Sequence, residues 1–187
     1  MISRIVFSGT GGQGLITAAV VFAEAAVFHE GLEAVQTQSY GPEARGGASR
    51  ADVIVATNPI MFPKVLEPNI VIALSQESYD KYAWIVRPGG IIIIDTAEVK
   101  VRGSTTARQV AMDFSRRVQE KFGTRLPVNM AVVGALAGVV DYMAVESIER
   151  VIRSRFEEKY VETNVGSLFL GFELAEEQKR NRSLSVF

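Results

Sequence analysis

The chain contains no cysteine and only one histidine, His29. Disulfides, thiolate-held zinc and cysteine-ligated iron–sulfur clusters are therefore excluded within it. A catalytic metal would need a nearly all-carboxylate site, and the sequence shows no carboxylate cluster. An excess of either charge is missing as well: 20 Lys and Arg stand against 21 Asp and Glu, a net charge of −1. Nothing in that balance favours nucleic acid or an anionic membrane. Long apolar runs are also lacking. The longest helical one, near Met130–Val140, falls well short of the roughly 20 residues of a membrane span. The chain opens directly on a strand, so no signal peptide is expected. The expectation is a soluble, cytoplasmic protein. What is abundant is apolar side chain, 48% of 187 residues, enough for a full core in a single domain spanning residues 1–187. No internal repeat, low-complexity tract or linker divides it.

The stretch Ile2–Phe28 reads as strand, glycine turn and helix. Arg4–Phe7 is β-prone and nearly all apolar, as in a strand covered on both faces. Ser8–Gly14 holds four glycines in seven residues, and no Gly or Pro follows until Gly31. An alanine-rich helix is predicted over Leu15–Phe28. Such a turn gathers free N–H groups and the positive end of the helix dipole at one point, which suits a phosphate. Gly9, Gly11 and Gly14 fit the G-x-G-x-x-G spacing, with Thr10, Gly12 and Gln13 between them. A tight turn that binds nothing has the same spacing. A dinucleotide fold would place an acid about 20 residues on, after the second strand. Here that strand, Ala34–Gln38, ends in Gln38-Ser39-Tyr40, and Glu33 precedes it. A nucleotide-hydrolysing P-loop would place Lys-Ser or Lys-Thr after the last glycine, where Leu15 and Ile16 stand.

The first helix has almost no polar face beyond Thr17 and Glu24. It is expected to be buried on all sides, either under a long loop or against another chain. His29 and Gly31 close it as ordinary capping residues. The segment Ser39–Arg50 is a loop rich in turn formers. In it Arg45, followed by Gly46 and Gly47, can combine a guanidinium with converging N–H groups for an anion, and Glu43 can pair with Arg45 or Arg50. A plain hairpin connection is the alternative. Ala51–Ala56 then pairs antiparallel with the second strand, because the connection is too short for a crossover. Ile70–Leu74 and Ile91–Ile94 are buried strands, with a helix over Gln76–Val86 between them. Asp95 either points into a site at a strand end or caps a turn through Thr96. Helices are predicted over Thr105–Phe122, from Pro127 to Tyr142, over Val145–Tyr160 and over Asn164–Lys179. Gly134 and Gly138 mark a close helix contact, inside the domain or across a subunit boundary.

Two stretches read together, GTGGQG at Gly9–Gly14 and SYGPEARGG at Ser39–Gly47, resemble the gamma subunit of the 2-oxoacid:ferredoxin oxidoreductases. The likeness continues through Pro88-Gly89-Gly90, Asn129-Met130, Gly134-Ala135, Asn164 and Gly171. Thr124–Val128 departs from the family's usual wording. The resemblance implies an α/β fold, a three-layer α/β/α sandwich with a mixed, mainly parallel sheet. It implies oxidative decarboxylation of a 2-oxoacid to an acyl-coenzyme A with reduction of ferredoxin, and the wording SYGPEARGG is most like the 2-oxoglutarate enzymes. Thiamine diphosphate and the iron–sulfur clusters would sit on partner subunits of alpha and beta type, with a ferredoxin-like delta subunit a further candidate. This chain would bind no cofactor alone, would be inactive in isolation, and would contribute the coenzyme A side of the site. The residues implied are Gly9, Thr10, Gly11, Gly12, Gln13 and Gly14 in the turn, and Tyr40, Arg45, Gly46 and Gly47 in the loop. A free-standing nucleotide- or coenzyme-binding protein is the competing expectation.

Overall fold

A computed structural model describes residues 1–38, 48–102 and 106–184, the last three by backbone alone. Six strands form one sheet in the order β2-β3-β1-β4-β5-β6. They are β1 (Ile2–Gly9), β2 (Glu33–Gln38), β3 (Ser49–Ala56), β4 (Ile70–Ala73), β5 (Ile91–Asp95) and β6 (Arg108–Met112). β1, β4, β5 and β6 run parallel, whereas β3 is antiparallel to both β1 and β2. The mixed sheet follows from connection length: the segment between β2 and β3 cannot hold a crossover helix, while the parallel pairs are joined by longer connections.

Side chains alternate across the sheet and divide the core in two. Ile5, Phe7, Val53, Ile72, Ile93 and Val110 face a thick helical layer, and Val6, Ile54, Val71, Ile92 and Ile94 face a thinner one. The thick layer holds α1 (Leu15–His29), α3 (Phe114–Phe122), α4 (Val128–Val139), α5 (Val145–Arg155) and α6 (Glu158–Leu184). The thin layer is α2 (Gln76–Tyr82), continued by a 3-10 turn at Ala83–Ile85. This is the three-layer sandwich the resemblance implied.

α4 is buried along nearly its whole length because α6, α1, α3 and α5 pack around it. Glycines make that possible. A Cβ on Gly134 would overlap the Leu168 carbonyl of α6, and a Cβ on Gly171 would overlap the Ala131 carbonyl of α4. The Gly134 contact is therefore internal rather than a subunit boundary.

Three expectations are corrected. Thr105–Phe122 is not one helix: Arg108–Met112 is β6, with Val110 and Met112 buried at alternate positions, and the helix begins only after Asp113. The helix predicted to Tyr160 stops at Arg155. Phe156 is extended, and Tyr160 lies in α6, which starts at Glu158, earlier than Asn164. α1 is not buried all round: Ile16 and Phe28 are 49% and 71% exposed, and Val27 is also open. Its inner face packs on the sheet, α4 and α5, while its outer face is an apolar stripe.

Candidate functional site

The glycine turn lies where β1 ends, beside the ends of its two neighbours. On one side Gly9 is opposite Ser49 at the start of β3. On the other, Ser8 pairs with Ala73 of β4, and its hydroxyl donates to the Ile72 carbonyl at 2.6 Å. Gly14 caps α1 in a left-handed conformation, φ +69°, and among the described residues no side chain caps the first N–H groups of the helix. Those groups face a depression of about 310 Å³ lined by residues 10–17 and Ser49. A second depression, of about 400 Å³, opens on the far side of the turn, against Ser115, Arg125 and Leu126. N–H groups at a helix start, in a concave site, are suited to an oxyanion.

The six turn residues differ in availability. The Thr10 N–H donates to Gln13 Oε1 at 2.7 Å, and Gln13 Nε2 donates to the Leu74 carbonyl at 3.1 Å. Gly12 has φ +89° with open space around it. Gly11 is the informative one: among the described residues a Cβ there would meet only Ser49 Oγ, at 3.7 Å, so none of them demands glycine at this position.

The predicted loop residues Tyr40, Arg45, Gly46 and Gly47, and Glu43 with them, lie outside the described residues. The described ends of that segment, Gln38 and Ala48, both fall at the sheet end that carries the glycine turn. Ala48 is held by α2, its N–H donating to Glu77 at 3.2 Å. Arg50, one of the two partners suggested for Glu43, is among the described residues, and Glu43 is not. Arg50 forms a two-pronged bond with Asp52 at 2.6 and 2.8 Å, donates to the Val65 carbonyl and stacks over Tyr82.

Asp95 does not point into a site. It is 1% exposed and accepts from the Ser115 hydroxyl at 2.5 Å, the Ser115 N–H and the Ala97 N–H. It therefore ties β5 to the first turn of α3, and the turn it caps is closed through Ala97 rather than Thr96. Burial pushes its carboxyl above the ordinary value, and the bonds from Ser115 and Ala97 pull it part of the way back. Asn129, which entered the sequence reading only through the family likeness, reaches the site. From the first turn of α4 it donates to the Gly14 carbonyl at 3.3 Å. A contact across 115 positions leaves no local signal in the sequence.

Residues 4–174 match the family described as pyruvate ferredoxin/flavodoxin oxidoreductase. The 2-oxoglutarate synthase subunit KorC of Methanocaldococcus jannaschii is 37% identical over 95% of this chain and 96% of its own length. Among solved structures, the gamma subunit of a keto/oxoacid ferredoxin oxidoreductase from Geobacter sulfurreducens superposes with a TM-score of 0.85. It is 35% identical, over 94% of this chain and 99% of that one. The 2-oxoglutarate:ferredoxin oxidoreductase of Magnetococcus marinus, solved with 2-oxoglutarate, coenzyme A and succinyl-CoA bound, superposes with a TM-score of 0.82. That match covers 94% of this chain and 31% of the neighbour at 19% identity, a likeness of fold alone.

Proposed function

The chain belongs to the pyruvate ferredoxin/flavodoxin oxidoreductase family, and we propose that it is the gamma-type subunit of a multisubunit 2-oxoglutarate:ferredoxin oxidoreductase. In this reading residues 1–187 form one gamma-type domain. It docks on alpha- and beta-type subunits, which carry thiamine diphosphate and the iron–sulfur clusters and pass electrons to ferredoxin. A ferredoxin-like delta subunit is a further partner. The observation that carries the reading is the match to a 2-oxoglutarate synthase subunit along almost the full length of both chains. The outer stripe of α1, with Ile16, Val27 and Phe28 exposed, supports a chain that works in an assembly, since stripes of this kind are rarely left to water.

The part of the reaction assigned to this subunit is to hold coenzyme A beside the partners' acyl group. The glycine turn fits a phosphate of that coenzyme. Its N–H groups are aimed at a depression, the α1 dipole favours negative charge there, and Gly11 leaves room where a side chain would stand. Coenzyme A, when bound, supplies the thiol that accepts the acyl group. This chain's own work is to bind and orient the coenzyme through backbone N–H groups, with Tyr40, Arg45, Gly46 and Gly47 of the Ser39–Gly47 motif assigned to the same ligand. The test is Gly11→Ala in the assembled complex. The added methyl makes only ordinary contact with Ser49, so assembly and stability should match the parent within about 1 kcal/mol. The KM for coenzyme A should rise about tenfold if the methyl takes the place of one phosphate contact. An unchanged KM and turnover would make the turn a structural feature only.

A further inference from the structure

Gly9 and Gly14 are glycines for a reason internal to the protein. A Cβ on Gly9 would collide with Gln13 Oε1, and a Cβ on Gly14 would stand 2.5 Å from Asn129 Nδ2. Two carboxamides thus fill the space at the two ends of the turn, and among the described residues nothing crowds its middle. Their orientation is dictated by their partners. The Thr10 N–H can only donate and the Leu74 carbonyl can only accept, so Gln13 must present Oε1 to the first, at 2.7 Å, and Nε2 to the second, at 3.1 Å. Asn129 likewise donates to the Gly14 carbonyl at 3.3 Å and accepts from the Met130 N–H at 3.0 Å. The Gly14 carbonyl also accepts the Ala18 N–H at 2.9 Å, the first bond of α1.

We propose that Gln13 and Asn129 are positioning residues for the coenzyme site, not ligands of it. Gln13 pins the turn to the end of β4, and Asn129 pins the start of α1 to α4. Between these two anchors the N–H groups of Gly11, Gly12 and the first turn of α1 are held in one direction. The Thr10 N–H is withdrawn from the ligand-binding set, because it is spent on Gln13. α4 is itself locked to α6 through Gly134 and Gly171, so the second anchor belongs to the rigid helical layer. The proposal rests on the anion-binding reading of the turn given above.

Two substitutions separate the two bonds of the Gln13 anchor. Gln13→Glu keeps an acceptor for Thr10 but loses the donor to Leu74 and sets a carboxylate oxygen against that carbonyl. Gln13→Met loses both bonds at similar length. Amide hydrogen exchange at Thr10, measured without ligand, reports the clamp directly. Exchange should be slow in the parent and in Gln13→Glu, and fast in Gln13→Met. In the purified complex, both variants should raise the KM for coenzyme A by on the order of tenfold, with kcat at saturating coenzyme close to the parent's. Asn129→Ala should do the same from the α4 side, and it carries the test should Gln13→Met not fold. Slow Thr10 exchange in Gln13→Met would show that the clamp does not exist. Fast exchange with an unchanged KM would show that the clamp is structural and positions nothing. Gly11→Ala touches neither carboxamide. If it too leaves the KM unchanged, it is the anion-binding reading that fails, whereas a raised KM for Gly11→Ala beside a normal one for Gln13→Met overturns the positioning role alone.

Discussion

At the scale of single residues, Asp95 shows how a polar group at a strand end can be read in two ways from sequence and in one way from structure. Its carboxyl is buried and used up by Ser115 and Ala97, which makes it a joint between β5 and α3. Burial outweighs these bonds, so its folded-state pKa stands above the ordinary one. The sign follows from linkage. A raised carboxyl pKa means that the folded state binds the proton more tightly than the unfolded chain. The stabilisation is therefore complete below the unfolded value, about 4, and is lost as pH rises through the folded value. Asp95→Asn cannot ionise, and its Nδ2 can donate to a Ser115 hydroxyl turned to accept. The variant's Tm, measured against pH, should gain on the parent's from about pH 4 upward and hold a constant offset once the parent's Asp95 is fully ionised. A parallel pair of curves throughout that range would show that Asp95 is not perturbed. The turn residues were legible as a motif, since Gly9, Gly11 and Gly14 sit at a recognisable spacing. Their separate reasons were not: two of them answer to the carboxamides of Gln13 and Asn129, and a spacing does not show what fills the space beside it.

At the scale of elements, apolar pattern was enough for the buried parts and failed at the edges. β4 and β5 stand out as short apolar runs because both of their faces are covered, and α1 and α4 stand out by composition. β6 was hidden because it is an edge strand with one outward side, so Arg108 and Gln109 lend it the charged look of the helix that follows. Its signals were weak but present: alternate burial at Val110 and Met112, and Asp113 as a helix-starting residue before Phe114. The break between α5 and α6 at Phe156 has neither Gly nor Pro, so composition could not mark it. The α4–α6 contact is the element on which stability should depend most sharply. Gly171→Ala would drive a methyl into the Ala131 carbonyl, which is backbone and cannot rotate away. Overpacking of this kind should cost at least about 2 kcal/mol. It should be seen as a lower urea midpoint with an unchanged slope. A midpoint equal to the parent's would mean that the two helices are not as close as described.

At the scale of the whole molecule, the chain makes sense as one part of a larger machine. It is a three-layer sandwich whose glycine turn offers backbone donors and whose first helix keeps an apolar stripe outward. It has no cysteine with which to hold an iron–sulfur cluster, and the proposed function gives electron transfer to other chains of the assembly. The exposed stripe was only half legible: the sequence showed that α1 lacks a polar face, and the structure shows which face is left uncovered, with Ile16, Val27 and Phe28 on it. The most direct test is to purify the protein under native, anaerobic conditions from the cell that makes it. Its size, its copurifying chains and the reduction of ferredoxin with 2-oxoglutarate and coenzyme A are then measured on the same fraction. The account predicts a hetero-oligomer, with this chain in fixed proportion to larger subunits, that reduces ferredoxin only when both 2-oxoglutarate and coenzyme A are present. A chain that elutes alone as a stable monomer, while 2-oxoglutarate-dependent activity runs in fractions without it, would contradict the account.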